Sequence, residues 1–274
     1  MTTLRRSTPI DSFMTVLTWF GVIAMFSPIA WMILTSFKSE QDAVTSPPKL
    51  FFTPTLDHYF KIFDNDFLSF TWVSILVTGA STLIVIIMAV PAAYALSIRP
   101  VKKWRDGLFF FISTKMMPVA AGIVPTYLVA RSLNLLNTPL VLIIVYISMN
   151  LPLAVWMIRS FMSEIPTEIF DAVRVDGAST IRELVLIVVP LIKPGLASTA
   201  LLCGIFSWNE FFLAVNLTST TSTLPVFLQK FLSFGQLYTA QVAAVATLIN
   251  IPVVAAGWIA QKSLTRGLTF GAVK

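Results

Sequence analysis

The chain has 274 residues, 56% of them apolar and only 12% charged, about half the charged fraction of an ordinary soluble domain. That balance excludes a soluble globular protein. The net charge of +6 does not point to nucleic acid, because the basic residues lie between apolar runs of about 20 residues, where positive charge sets topology in a bilayer.

Arg5 and Arg6 precede a long apolar stretch, which exceeds a cleavable signal and has no small-residue cleavage site behind it, so it is expected to stay as an anchor. Runs long enough to cross about 30 Å of hydrocarbon occur at 13–36, 70–98, 108–130, 139–158, 196–217 and 239–261. The expectation is an all-α, polytopic membrane protein with six transmembrane helices. Aliphatic residues surround each run without period-two alternation, which argues against a β-barrel. Pro28, Pro91, Pro118, Pro125, Pro152 and Pro252 are expected to mark kinks within the spans.

The basic residues divide unevenly between the two sets of loops. One set, which includes both termini, holds thirteen and the other five, with Lys115 left inside a span. By the positive-inside rule both termini are cytoplasmic. The segment from Lys38 to Ser69 is then the largest external excursion, and Asp64-Asn65-Asp66 within it reads as a solvated turn. One cysteine, Cys203, and one histidine, His58, supply neither a disulfide framework, nor a metal site, nor a Ser/His/Asp triad. The whole chain, 1–274, reads as one transmembrane domain.

The connection 159–195 is expected to be cytoplasmic and ordered. Ser163 is placed to cap a helix with Pro166 in its first turn, and Ile165, Ile169, Ala172 and Val173 form an apolar stripe at helical spacing. Glu168, Asp171 and Arg174 then face the other way. Gly177 is placed to end this helix in a left-handed turn, and Thr180 with Glu183 forms a capping box for a second helix that runs to Pro190.

At these residues the sequence resembles the inner-membrane permease subunits of binding-protein-dependent ABC importers. Their EAA loop stands here as Asp171-Ala172-Val173, Asp176-Gly177-Ala178-Ser179 and Ile187-Val188-Val189-Pro190. Asp replaces the signature Glu, Val the second Ala, and Val189 the usual Leu. Ser207-Trp208-Asn209-Glu210-Phe211, Leu133-Asn134-Leu135-Leu136-Asn137-Thr138 and the terminal Gly267-Leu268-Thr269-Phe270-Gly271-Ala272-Val273-Lys274 are similar to the carbohydrate branch of that family, the second membrane subunit of maltose-type transporters. Ser113-Thr114-Lys115-Met116-Met117-Pro118 looks more like permeases for sugar alcohols such as sorbitol and mannitol.

The resemblance implies a type I importer permease fold. In such an importer, Glu168, Asp171, Ala172, Arg174, Asp176, Gly177 and Pro190 belong to the coupling contact with an ATPase subunit. It further implies a second permease subunit, two ATP-binding cassette subunits that hold the ATP and magnesium, and an extracytoplasmic solute-binding protein, all at a bacterial inner membrane. This chain would then do no bond chemistry and bind no cofactor itself. Its one phosphate-loop-like run, Gly257 to Ser263, lacks the second glycine and starts inside a span.

Lys115, Trp208, Asn209 and Glu210 are the polar or aromatic candidates for the substrate path. For Lys115 a snorkelling or ion-paired structural role stands beside a role at the path. Asn209 and Glu210 suit hydrogen bonds to a polyhydroxyl solute or a polar clamp between helices, and Trp208 suits stacking on a sugar or plain packing. Two alternatives stand beside this reading: a secondary transporter driven by an ion gradient, which would call for buried coupling acids and inverted repeats, and an ABC permease for a non-carbohydrate solute.

Overall fold

A computed structural model of the chain describes residues 9–63, 66–98, 102–232 and 238–270, without the side chains of 9–11, 174, 260 and 262–270. Arg5, Arg6, Asp64, Asn65, Arg99 and residues 271–274 of the terminal motif lie outside the described residues, as does the side chain of Arg174. The described residues are helical throughout their ordered elements. In chain order these are α1 (Pro9–Ser36), α2 (Glu40–Ala43), α3 (Asp57–Phe63), α4 (Phe67–Ser97), α5 (Trp104–Met116), α6 (Val119–Ser132) and α7 (Pro139–Met162). Then follow α8 (Thr167–Val175), α9 (Thr180–Glu183), a π-helical turn (Leu184–Val188), α10 (Val189–Leu191), α11 (Lys193–Trp208), α12 (Phe212–Leu217), α13 (Leu224–Gln229) and α14 (Thr239–Phe270).

Among the described residues four stretches are long and apolar enough to cross a bilayer as single helices: Ser12–Ser36, Phe67–Ser97, Pro139–Met162 and Thr239–Ile259. Two further passes are broken, so the count is six when each bent pair is one span. The expected third span, 108–130, is α5 and α6, which meet at 93°. Pro118 causes this break: it drives Met117 to an extended ψ of 128°, where a helix cannot continue. The expected fifth span, 196–217, is likewise not one helix, because the chain breaks between Trp208 and Phe212. The bent pair that passes as one span lies earlier, Thr180–Leu191 with α11, meeting at 79°. At that bend, ahead of the expected span, Pro194 has no N–H for the carbonyl one turn back, and its ring crowds that carbonyl. Pro28, Pro91, Pro125, Pro152 and Pro252 sit inside continuous helices.

The chain divides into two compact units. The first, Met1–Asn65 with Leu228–Asn250, contains α1 to α3 and the start of α14. Here the Glu40 carboxylate accepts the N–H groups of Ala240 at 3.0 Å and Gln241 at 2.9 Å, which satisfies two donors that a helix start leaves open. His58 is buried with a ring nitrogen 2.9 Å from the Lys38 carbonyl. The Lys38 ammonium, itself buried, lies 4.2 Å from the Trp31 ring centre and 5.3 Å from that of Phe52, a cation–π arrangement. The most apolar part of α1 buries nothing within the chain and needs lipid or another protein around it.

The second unit, Asp66–Phe227 with Ile251–Lys274, is built on α4, α7 and α11. Apolar side chains bring the helices together: Val85, Ala89, Ala93, Ala154, Val155, Ile158 and Cys203 form one core between α4, α7 and α11, and Val77, Leu142, Tyr146, Leu213 and Leu217 another between α4, α7 and α12. In hydrocarbon such close fits replace the hydrophobic effect as the source of association. Polar bonds cross the same contacts. Asn150 of α7 donates to Ser207 of α11 at 3.0 Å, Ser81 of α4 lies 3.4 Å from the same hydroxyl, and the Ser74 hydroxyl accepts the Leu224 N–H at 2.8 Å.

Gly195 is the tightest point of this unit, since a Cβ there would lie 2.4 Å from two atoms of the Phe161 ring. Gly195→Ala is expected to cost ~1–3 kcal/mol through overpacking and to lower the thermal midpoint of the detergent-solubilised protein. Pairing it with Phe161→Leu should recover part of the loss, and equal midpoints for wild type and Gly195→Ala would refute the close contact.

Candidate functional site

The connection from α7 to α11 departs in detail from its expected helix–turn–helix. α7 continues to Met162, so Ser163 closes that helix, its hydroxyl donating to the Ser160 carbonyl at 2.7 Å, and does not cap α8. α8 begins at Thr167, directly after Pro166. Its buried anchor is Phe170, 5% exposed and packed with Tyr94, Ile158, Met162, Val188 and Ile192. Ile169 and Val173 of the expected stripe are half-buried beside it, whereas Ala172 is exposed. A core around Phe170 lies one residue off the expected stripe, which is why the opposite face takes Ala172.

Glu168, Asp171 and Ala172 therefore form an outward face, continued by the exposed Val175, Asp176 and Gly177. Gly177 has φ +70°, the left-handed conformation expected for it. The Ala178 N–H reaches the Val173 carbonyl at 3.2 Å and the Asp176 N–H that of Ala172 at 3.1 Å, the six-to-one closure of a helix C-terminus. The following cap is Ser179 and not Thr180: its hydroxyl accepts the Arg182 N–H at 3.4 Å. Consequently Glu183 does not complete a capping box. It turns inward, fully buried, and its carboxylate accepts the Tyr94 hydroxyl of α4 at 2.8 Å. The second helix does not run straight to Pro190, since the π turn interrupts it after Glu183. Pro190 lies exposed in α10.

The four candidates within the spans go to different places. Lys115 stands near the end of α5, its ammonium 5.9 Å from the Phe206 ring centre. It lines a cavity of about 300 Å³ with Pro118, Gly122, Ser148, Met149 and Leu213. Trp208 is buried and lines a different, apolar cavity of about 630 Å³, between Thr78, Thr82 and Ile86 of α4, Ala200 and Gly204 of α11, and Pro252 and Ala256 of α14. Asn209 is exposed, with its amide donating back to the Ile205 carbonyl at 2.9 Å.

Glu210 bridges the break between α11 and α12. Its two oxygens accept the N–H groups of Leu213 at 2.7 Å and Ala214 at 3.1 Å, and the Tyr146 hydroxyl of α7 at 3.0 Å. The acid thus supplies the acceptors that the start of α12 lacks, and ties that start to α7. It lines neither cavity. The turn 133–138 is fixed comparably: Asn134 and Asn137 take positive φ, and the Asn137 side-chain oxygen accepts the Ser219 hydroxyl at 2.7 Å. Among the described residues no cluster of three or more His, Cys, Asp or Glu is arranged to hold a metal.

Phe170, Tyr94 and Ser179 are the residues that a reading of the sequence missed. Phe170 and Ser179 had a local signal, being one position from the residues expected in their roles. Tyr94 had none, because its partner is 89 residues away.

Residues 86–266 match the family described as the inner membrane component of binding-protein-dependent transport systems. A probable ABC transporter permease of Sinorhizobium fredii is 36% identical over 252 residues, 90% of this chain and 90% of that protein. The trehalose transport system permease SugB of Mycobacterium tuberculosis is 33% identical, over 90% of this chain and 92% of its own length. Among solved structures, a bacterial ABC transporter involved in the import of the acidic polysaccharide alginate aligns with a TM-score of 0.75 and 26% identity, over 96% of this chain and 99% of that one. The expected EAA segment lies within the matched residues, and with it the chain belongs to the family of binding-protein-dependent transport system inner membrane components, the permeases of ABC transporters.

Proposed function

We propose that this chain is one half of the translocation path of an ATP-driven importer for a sugar or sugar alcohol, and that α8 and the Gly177 turn are its contact with a separate ATPase. The observation that carries the reading is the α8 face of Glu168, Asp171 and Ala172, exposed on one side and anchored on the other by Phe170. A short helix held in this way moves as a rigid body, which is what transmission of nucleotide-driven closure needs. In the complete importer, the two ATP-binding subunits hold ATP and magnesium and a related permease completes the path. A solute-binding protein delivers the cargo from outside. Both termini and the 159–195 connection are cytoplasmic, as the basic residues require. The chain itself makes and breaks no bonds.

The solute class is supported by the relatives with trehalose and alginate systems. Lys115 at the 300 Å³ cavity and the exposed amide of Asn209 are the side chains placed to meet hydroxyl groups. Glu210 is the clamp between α12 and α7, and Trp208 is packing. An ion-gradient mechanism is disfavoured by the same geometry, because Glu210, the only acid within the expected spans, is engaged in three hydrogen bonds.

Extraction of the tagged chain in mild detergent from its native host, followed by mass spectrometry, tests the assembly. The expected result is co-purification of a second permease and an ATPase with a phosphate-binding loop. Recovery of the chain alone, stable and active with only an ion gradient, would refute the proposal.

A further inference from the structure

We propose that the hydrogen bond from Tyr94 to Glu183 is a latch that carries movement of the 167–183 segment into α4, with Glu183 and Tyr94 acting as positioning residues of the transport cycle. The inference rests on the permease reading and deepens it. Glu183 is the last residue of α9, 0% exposed, and Tyr94 lies three residues before the end of α4, 4% exposed. Their 2.8 Å bond is buried at both ends and abuts the apolar core to which Tyr94 belongs, where low polarity strengthens a hydrogen bond and makes its loss costly.

The surrounding contacts explain why such a bond transmits motion. Phe170 anchors α8 to the same core, and the bond from Tyr94 adds a directed contact at the far end of the segment. With Gly177 as the turn between them, Phe170 and Glu183 attach the segment on either side, and the hydrogen bond at Glu183 fixes both distance and direction. The π turn Leu184–Val188 begins at the next residue, a local widening that recurs at functional positions in helices.

α4 is the element suited to receive the motion. Thr82 on α4 lines the 630 Å³ cavity, and Ser81 beside it meets Ser207 of α11 at 3.4 Å. At 1.5 Å per residue, Tyr94 lies about 18 Å along the helix from Thr82. A shift imposed at Tyr94 therefore reaches the cavity wall and the Ser81–Ser207 contact as a rigid displacement.

The test uses the complete importer in proteoliposomes and measures solute transported per ATP hydrolysed, with the thermal midpoint of each purified complex as control. Tyr94→Phe removes one hydroxyl and keeps the ring in the core. The expected result is a complex that still assembles, with a modestly lowered midpoint from the buried Glu183 acceptor left behind, in which transport per ATP falls about tenfold. Glu183→Gln leaves an acceptor of the same shape and should retain most of the coupling, whereas Glu183→Ala should match Tyr94→Phe. An unchanged transport-to-ATP ratio in Tyr94→Phe would overturn the latch, and so would a fall that tracks loss of assembled complex. Wild-type vesicles that take up no solute with ATP would instead overturn the permease reading on which it rests.

Discussion

Replacing Gly177 with valine is expected to abolish most ATP-driven uptake. Its φ of +70° is costly for any side chain and worst for a β-branched one, at ~1–2 kcal/mol. A Cβ at Gly177 would meet nothing within 4 Å, so the cost is one of backbone conformation and not of crowding. That cost shifts the balance between the closed turn and alternatives by a factor of about 5 to 30. The bonds from Ala178 to Val173 and from Asp176 to Ala172 would open first. α8 would then lose its fixed angle to α9, and the exposed acidic face its position against the ATPase. Gly177→Asn is the discriminating control, because asparagine tolerates the left-handed region and should retain substantial uptake. Full uptake in Gly177→Val, measured in cells or vesicles, would contradict the assigned role of the turn.

Glu210→Ala is expected to destabilise the protein more than any other single change among the four candidates within the spans. It would strip acceptors from the Leu213 and Ala214 N–H groups and from the Tyr146 hydroxyl, in a segment where water does not readily replace them. Hydrogen bonds to a charged group are worth roughly 1.5–3 kcal/mol each in water-soluble proteins, and somewhat less where the unfolded chain stays in lipid. Glu210→Gln preserves one acceptor and should fall between alanine and wild type. Asn209→Ala should leave the thermal midpoint near wild type, since its amide returns only to the Ile205 carbonyl of its own helix. Thermal unfolding in detergent separates these outcomes. A Glu210→Ala protein as stable as wild type, with only the apparent KM for solute changed, would move Glu210 from clamp to substrate contact.

Several features were legible in the sequence for physical reasons that are local. The four single-helix spans and the bent pair at 104–132 follow from run length, the left-handed Gly177 follows from the helix pattern that ends there, and the outward Glu168 and Asp171 follow from helical period. The breaks were less legible. Of the six prolines expected to mark kinks, only Pro118 coincides with a chain break, because a proline inside a bundle keeps its helix when neighbours satisfy the freed carbonyl. The cap at Ser179 illustrates a different limit: Ser179 and Thr180 are adjacent hydroxyl residues with equal claims, and only backbone angles choose between them. Glu183 is the strongest case. An acid three residues after a hydroxyl invites a capping box, but burial against Tyr94 overrides that local preference, and the contact that decides it is 89 residues away.

The substrate path was the least legible part. Lys115 and Trp208 face different cavities, and Glu210 is spent on the break between α11 and α12. None of this follows from spacing along the chain, because each depends on which helix lies alongside.

The central claim is that this chain moves solute by coupling to an ATPase, and uptake by the reconstituted importer tests it most directly. Vesicles with ATP inside and the solute-binding protein outside should accumulate labelled sugar or sugar alcohol, and stop when ATP is withheld, whatever the ion gradient. Uptake that follows a proton or sodium gradient and ignores ATP would contradict the account.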